Sequence, residues 1–117
     1  MIRDLAEKYS DYIIEQRRYF HQIPELSLNE VKTTEKLVEE LKKMGAEVIT
    51  FPDYQGCIGI IKGGKPGKTI MLRSDIDALP VKEQTGLPFA STNGNMHACG
   101  HDNHMAIQLG AAKILTD

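Results

Sequence analysis

Leu41-Lys42-Lys43-Met44-Gly45-Ala46-Glu47-Val48-Ile49-Thr50-Phe51 is where the periodicity of the chain changes, and the fold class follows from that change. Upstream of Gly45, the residues Val31, Thr34, Val38, Leu41 and Met44 recur at three- and four-residue steps, the buried stripe of a helix. Glu and Lys residues cover its other face. Gly45 is placed to end the helix, because glycine enters the left-handed conformation of a C-terminal stop without steric cost. Beyond it the helical repeat is gone, and Glu47–Phe51 reads as a short strand.

Working outward, residues 4–22 predict another amphipathic helix, with Leu5, Tyr9, Tyr12, Ile13, Gln16 and Phe20 on one face. Asp4 is its candidate N-cap and Pro24 stops it, since the residue before a proline avoids helical geometry. Ser27-Leu28-Asn29-Glu30 has the spacing of a capping box for the second helix. After Phe51, Cys57–Lys62 is a nearly continuous apolar run, as expected of a strand covered on both faces. Gly63-Gly64-Lys65-Pro66-Gly67-Lys68 is a turn, and Thr69–Arg73 a further apolar strand that would form a hairpin with Cys57–Lys62. A turn-rich loop covers about 82–96, with Asn93-Gly94 as a tight turn. Residues 103–116 predict a helix apolar on most sides, hence a buried one. The expected fold is α/β: helices packed on a mixed sheet of at least three strands. The apolar last helix wants more cover than the other elements supply, which marks the chain as the front part of a larger domain.

At 117 residues there is room for one ordinary domain. A net charge of -2 offers no basic surface for nucleic acid or an anionic membrane, so neither is expected as a partner. No apolar run is long enough to span a bilayer and no secretory leader is visible. Two cysteines in unlike contexts make no disulfide framework, which suits a reducing, cytoplasmic location.

The chemistry concentrates in Asn95-Met96-His97-Ala98-Cys99-Gly100-His101-Asp102-Asn103-His104. Three of the four histidines lie here, interleaved with one of the two cysteines and an aspartate. Thiolate, imidazole and carboxylate are the ligands of borderline transition metals. A thiol near the start of a helix ionises more easily, and thiolate is the metal-binding form. Cys99 and His101 are therefore a candidate ligand pair, with Gly100 between them allowing a sharp bend. A solvated His-rich turn is the plainer reading. Asp75 and Asp77 leave the end of an apolar strand, where open sheets place ligands, and a carboxylate there can orient a metal-bound histidine. Taken alone they would be a turn with an Asp side chain bonding its own backbone. His21 reads as a favourable charge at a helix C-terminus, and Cys57 as a small buried hydrophobe. The glycine-rich turn at 63–68 lacks the Gly-Lys-Ser/Thr ending of a phosphate loop and joins two strands, so it is not one.

Four segments occur in order: His21–Ser27 (HQIPELS), Arg73–Pro80 (RSDIDALP), Glu83–Ser91 (EQTGLPFAS) and Met96–His104 (MHACGHDNH). Together they resemble the N-terminal part of the M20 metallopeptidases, in the amidohydrolase branch with hippurate hydrolases and N-acyl-amino-acid amidohydrolases. The resemblance implies that residues 1–117 are the N-terminal part of a zinc-peptidase-like catalytic domain, with the rest of that domain and a lid or dimerisation domain lying downstream. It also implies a hydrolase that uses two divalent metal ions (Zn, Mn, Ni or Co) to cleave the amide of an N-acyl amino acid or short peptide, and a homo-oligomeric parent. By resemblance, Cys99 and His101 bind metal, and Asp75 and Asp77 are the catalytic carboxylates, with the division of labour between those two left open. The general-base glutamate of the family lies downstream, and Glu83 does not stand in for it. Two other readings remain: a non-catalytic module that only binds metal, and a cysteine hydrolase pairing Cys99 with His97 or His101.

Overall fold

A computed structural model describes all 117 residues, Met1–Asp117. Its elements in chain order are α1 (Ile2–Lys8), α2 (Ser10–Gln22), α3 (Val31–Lys43), β1 (Glu47–Thr50), β2 (Cys57–Ile60) and α4 (His101–Thr116). The molecule is a slab of 47 × 36 × 20 Å. Helix α4 lies against α2, and α3 lies against the two strands. The core is small: Phe20, Leu37, Met105 and Leu109 are buried, with Tyr12, Ile23, Leu41, Met44, Cys57 and Ile76 packed around them. At Gly110 the α2–α4 crossing is so close that a Cβ would stand 2.6 Å from the Ile13 side chain.

The α/β class holds, and several details differ from expectation. The first helix is two helices, broken at Tyr9 (φ −100, ψ 11), whose hydroxyl reaches Asp117 at the end of α4. Asp4 sits inside the first turn of α1 and is not its cap. The capping box of Ser27–Glu30 does not form, because Leu28 turns the chain at φ 71 and carries Ser27 away from the helix. The Glu25 carboxylate replaces it: it accepts the Lys32 N–H (3.2 Å), the Thr33 N–H (2.7 Å) and the Thr33 hydroxyl (2.7 Å). A carboxylate suits the positive end of the helix dipole as well as its free N–H groups. The buried stripe of α3 is Thr33, Leu37 and Glu40, rotated by a residue from the expected one. Glu40 tolerates this because the Tyr12 hydroxyl (2.9 Å) and Lys36 Nζ (2.8 Å) donate to it. Burial alone would raise its pKa, and these partners outweigh burial and lower it. Gly45 ends α3 at φ 83, as expected.

The sheet has two strands, not three. β1 and β2 pair antiparallel, Glu47 opposite Ile60 and Thr50 opposite Cys57. The expected hairpin between 57–62 and 69–73 is absent, and 69–73 is irregular. An apolar run records hydrophobicity and not which segment it pairs with; 57–60 pairs with β1 instead, and its cover is one-sided. Gly59 of β2 lies against Leu41 of α3, while Ile58 and Ile60 face outward. In the third segment Leu72 O accepts from Gln108 Nε2 of α4 (2.9 Å), and Ile70 and Met71 are 77% and 88% exposed. Helix α4 begins at His101, two residues earlier than expected, and buries one side only, leaving Ile107 and Leu115 exposed.

Two isolated bridges bring the site together. Leu26 pairs parallel with Ala78, whose N–H donates to Glu25 O (2.8 Å), and Leu79 pairs antiparallel with Met96. The segment from Asp75 is thereby held between the α2–α3 turn and the approach to α4. Removing the carboxylate that caps α3 should cost about 1–2 kcal/mol, the range of strong N-caps. Glu25→Ala should therefore lower the denaturation midpoint and speed hydrogen exchange at the Lys32 and Thr33 amides. Unchanged exchange at both amides would contradict the cap.

Candidate metal-binding site

Gly100, at φ 91, turns the chain so that His101 opens α4 with Cys99 just outside it. Asp77 receives both side chains. His101 Nδ1 lies 2.9 Å from the Asp77 carbonyl and 3.0 Å from Asp77 Oδ1, and Cys99 Sγ lies 3.9 Å from the same carbonyl. Both neighbours of Nδ1 are acceptors, so Nδ1 carries the proton and donates. That leaves Nε2 with its lone pair free, the tautomer a metal-binding imidazole needs. Asp75 Oδ2 stands 3.8 Å from His101 Nε2 and 3.9 Å from His104 Nδ1, and its other oxygen accepts from Arg73 (2.6 Å). The four residues singled out in sequence, Asp75, Asp77, Cys99 and His101, are thus neighbours. Cys99 is exposed and His101 partly so, as ligands open to an incoming ion would be.

The remaining residues of the stretch have other surroundings. His97 is buried and neither ring nitrogen has a partner; burial pushes its pKa down and keeps it neutral. Asp102 is 0% exposed, in the first turn of α4. Its Oδ2 lies 2.8 Å from His21 Nδ1 and accepts from Arg17 Nε at 2.8 Å. The His21 ring is also buried, and its Nε2 approaches Glu83 Oε1 at 2.8 Å, close enough for an ion pair but off the line of a good hydrogen bond. His21 lies in the last turn of α2 as expected, but buried against carboxylates and not merely as a helix-end charge. Its partner Asp102 is 81 residues away, beyond any local pattern, and only its place in the first resembling segment marked it. Glu30, also buried, has its pKa raised by burial and, to a lesser degree, by the charge of Asp77. A groove of about 580 Å³ lies between α3 and residues 50–56, away from this chemistry.

For a divalent metal centre the donors are apt in kind and few in number. A thiolate and an Nδ1-protonated imidazole held by a carboxylate form a familiar ligand pairing. No three His, Cys, Asp or Glu side chains converge closely enough to hold an ion by themselves. The cysteine-hydrolase reading finds no paired base, because the hydrogen-bond partner of the Cys99 thiol is the Asp77 carbonyl and not a histidine nitrogen.

Thiol, imidazole and carboxylate are the donor types of transition-metal sites, and similarity to known proteins says which family shares this sequence. Residues 71–117 match the peptidase family M20/M25/M40. The chain is 47% identical to a thermostable carboxypeptidase of Saccharolobus solfataricus, over 96% of this chain and 31% of the relative. It is 49% identical to the N-acetylcysteine deacetylase of Bacillus subtilis, over 95% and 30%. The crystal structure of a dinuclear metal-binding M20 peptidase from Bacillus subtilis has a TM-score of 0.87 at 46% identity, over 94% of this chain and 31% of that one. The chain belongs to the M20 peptidase family, and it spans 30–31% of the length of these relatives. No helix is long and apolar enough to cross a membrane.

The His21–Glu83 contact gives a pH prediction. Burial would raise the Glu83 pKa, but the Ser91 N–H, the Thr85 hydroxyl and His21 outweigh burial and hold it down at about 2, against an ordinary 4.5. A carboxylate depressed on folding stabilises the fold above its unfolded pKa, and that stability is lost as pH falls through the folded one. The stability advantage of wild type over Glu83→Gln should be full above pH 4.5, shrink between 4.5 and 2, and vanish below. Melting temperatures of both proteins across that range test it; a difference independent of pH would show that the Glu83 charge contributes nothing.

Proposed function

We propose that the intact protein is a metal-dependent amidohydrolase that cleaves the amide bond of N-acyl amino acids or short peptides. Residues 1–117 would form the N-terminal part of its catalytic domain, with further catalytic-domain segments and a lid or dimerisation domain lying outside them. The observation that carries the reading is the Asp77–His101 contact, which fixes the imidazole in its metal-binding tautomer beside Cys99. The names of the relatives, a carboxypeptidase and a deacetylase, support amide hydrolysis as the reaction.

Each residue has a role in this reading. Cys99 contributes thiolate and His101 contributes Nε2 as ligands. Asp77 holds the proton on His101 Nδ1, which orients the ring and raises its basicity. Asp75, tethered by Arg73, places negative charge beside His101 and His104 and is the second catalytic carboxylate. Two divalent ions (Zn, Mn, Ni or Co), when bound, would supply Lewis acidity toward the scissile carbonyl and acidify water. By the family resemblance, the proton acceptor is a glutamate in the remainder of the protein. The exposed apolar run at 70–72 supports the larger domain, since soluble proteins seldom leave such runs bare. A homo-oligomeric assembly and a cytoplasmic location complete the proposal.

The test is hydrolysis of N-acetyl and N-benzoyl amino acids by the intact protein with added Mn, Zn, Co or Ni. Turnover should be chelator-sensitive. Replacing a supporting group typically costs about 10–100-fold in metal affinity or activity, so Asp77→Asn should fall in that range, and His101→Ala and Cys99→Ala should exceed it. Residues 1–117 alone should show no turnover. Stoichiometric metal without turnover in the intact protein would favour the non-catalytic metal-binding module instead.

A further inference from the structure

His21 joins two segments that flank the ligand pair. On one side it meets Asp102, the residue after His101. On the other it meets Glu83, at the head of the 82–96 loop that leads into His97 and Cys99. The loop is gripped further along the same helix: the Phe89 ring lies edge-on to His21 (centroids 5.6 Å apart), with the guanidinium carbons of Arg17 and Arg18 5.2 and 5.0 Å from its centre. Asn93 Nδ2 donates to Pro24 O at 2.8 Å. The loop closes on itself where the Ser91 N–H donates to Glu83 (2.8 Å). Both flanks of Cys99–His101 are therefore tied to one helix, and His21 is the one side chain in contact with a carboxylate on each flank. His21 Nδ1 lies 2.8 Å from Asp102 Oδ2 and Nε2 lies 2.8 Å from Glu83 Oε1, with Arg17 Nε 2.8 Å from the same Asp102 oxygen.

We infer that His21 is a positioning residue for the metal site: through Asp102 and Glu83 it fixes the separation of the Cys99 thiolate and the His101 imidazole. This rests on the reading of Cys99 and His101 as ligands. It requires nothing of His21 toward substrate or ion directly. Without the bridge, the start of α4 and the 82–96 loop keep only the Arg17–Asp102, arginine–Phe89 and Asn93–Pro24 contacts, and two donors that must meet one ion within a few tenths of an ångström lose part of their preorganisation.

The test is a Co(II) titration of the intact protein, followed by the thiolate-to-cobalt charge-transfer band, with melting temperature measured on the same samples. His21→Ala should weaken Co(II) affinity by about 10–100-fold, the range for groups that orient ligands, and shift or weaken the band at saturation. Glu83→Gln, which loosens the loop side alone, should give a smaller loss in the same direction, and it carries the test if His21→Ala does not fold. Leu37→Ala is the control for instability: it should lower the melting temperature and leave affinity and band unchanged. Folded His21→Ala and Glu83→Gln proteins that bind Co(II) within twofold of wild type, with an identical band, would overturn the inference. So would a Leu37→Ala protein as weakened in binding as His21→Ala. Cys99→Ser separates this failure from failure of the ligand reading: a band and affinity that survive Cys99→Ser would refute the ligand assignment itself.

Discussion

A carboxylate with no exposure to solvent, Asp102, sits at the point where the helical and loop halves of the molecule meet. It lies one residue beyond a candidate metal ligand and bonds to two side chains of α2. Burying a charge is costly unless partners compensate it, and removing a partner from such a set costs about 3–5 kcal/mol because a bare charge stays behind. The helix pair thus has one favoured arrangement, in which Asp102 meets His21 and Arg17. The small apolar core of Phe20, Leu37, Met105 and Leu109 fills the space beneath, and the glycine at 110 lets the helices approach closely enough for both to happen.

The site inherits its geometry from that arrangement. Once α4 is fixed, its first residue, His101, can reach only what the segment after Asp75 presents, and that segment is held by backbone bonds from Ala78 to Glu25 and between Leu79 and Met96. Asp77 then faces His101 Nδ1 and leaves Nε2 open. A buried charged network and an open donor pair stand back to back across a single peptide bond. The first spends its charge on internal partners and supplies rigidity, and the second keeps free lone pairs for an incoming ion.

How legible this was in the sequence depends on the range of each interaction. The bodies of the helices and β1 follow from short periodicities, and the stop at Gly45 from one residue's conformational freedom. The carboxylate and thiol–imidazole groups were recognisable because ligand types crowd into adjacent positions at 97–104 and at 75–77. The third strand failed because an apolar run records its own character and not whether a second layer covers it; residues 69–73 have α4 on one side and solvent on the other. The cap of α3 failed because a residue six positions before the helix, Glu25, reached in after Leu28 reversed the chain. His21 reads in sequence only as a helix-end charge because its partners, Asp102 and Glu83, are distant in the chain, and nothing near a lone histidine announces two buried carboxylates.

The central claim is that a sulfur and an imidazole from the Cys99–His101 turn bind the same metal centre. X-ray absorption on the intact protein loaded with zinc tests it most directly. The account predicts a sulfur scatterer at about 2.3 Å beside nitrogen and oxygen at about 2.0–2.1 Å, with the sulfur shell lost in Cys99→Ser. A wild-type spectrum fitted by nitrogen and oxygen alone would contradict it.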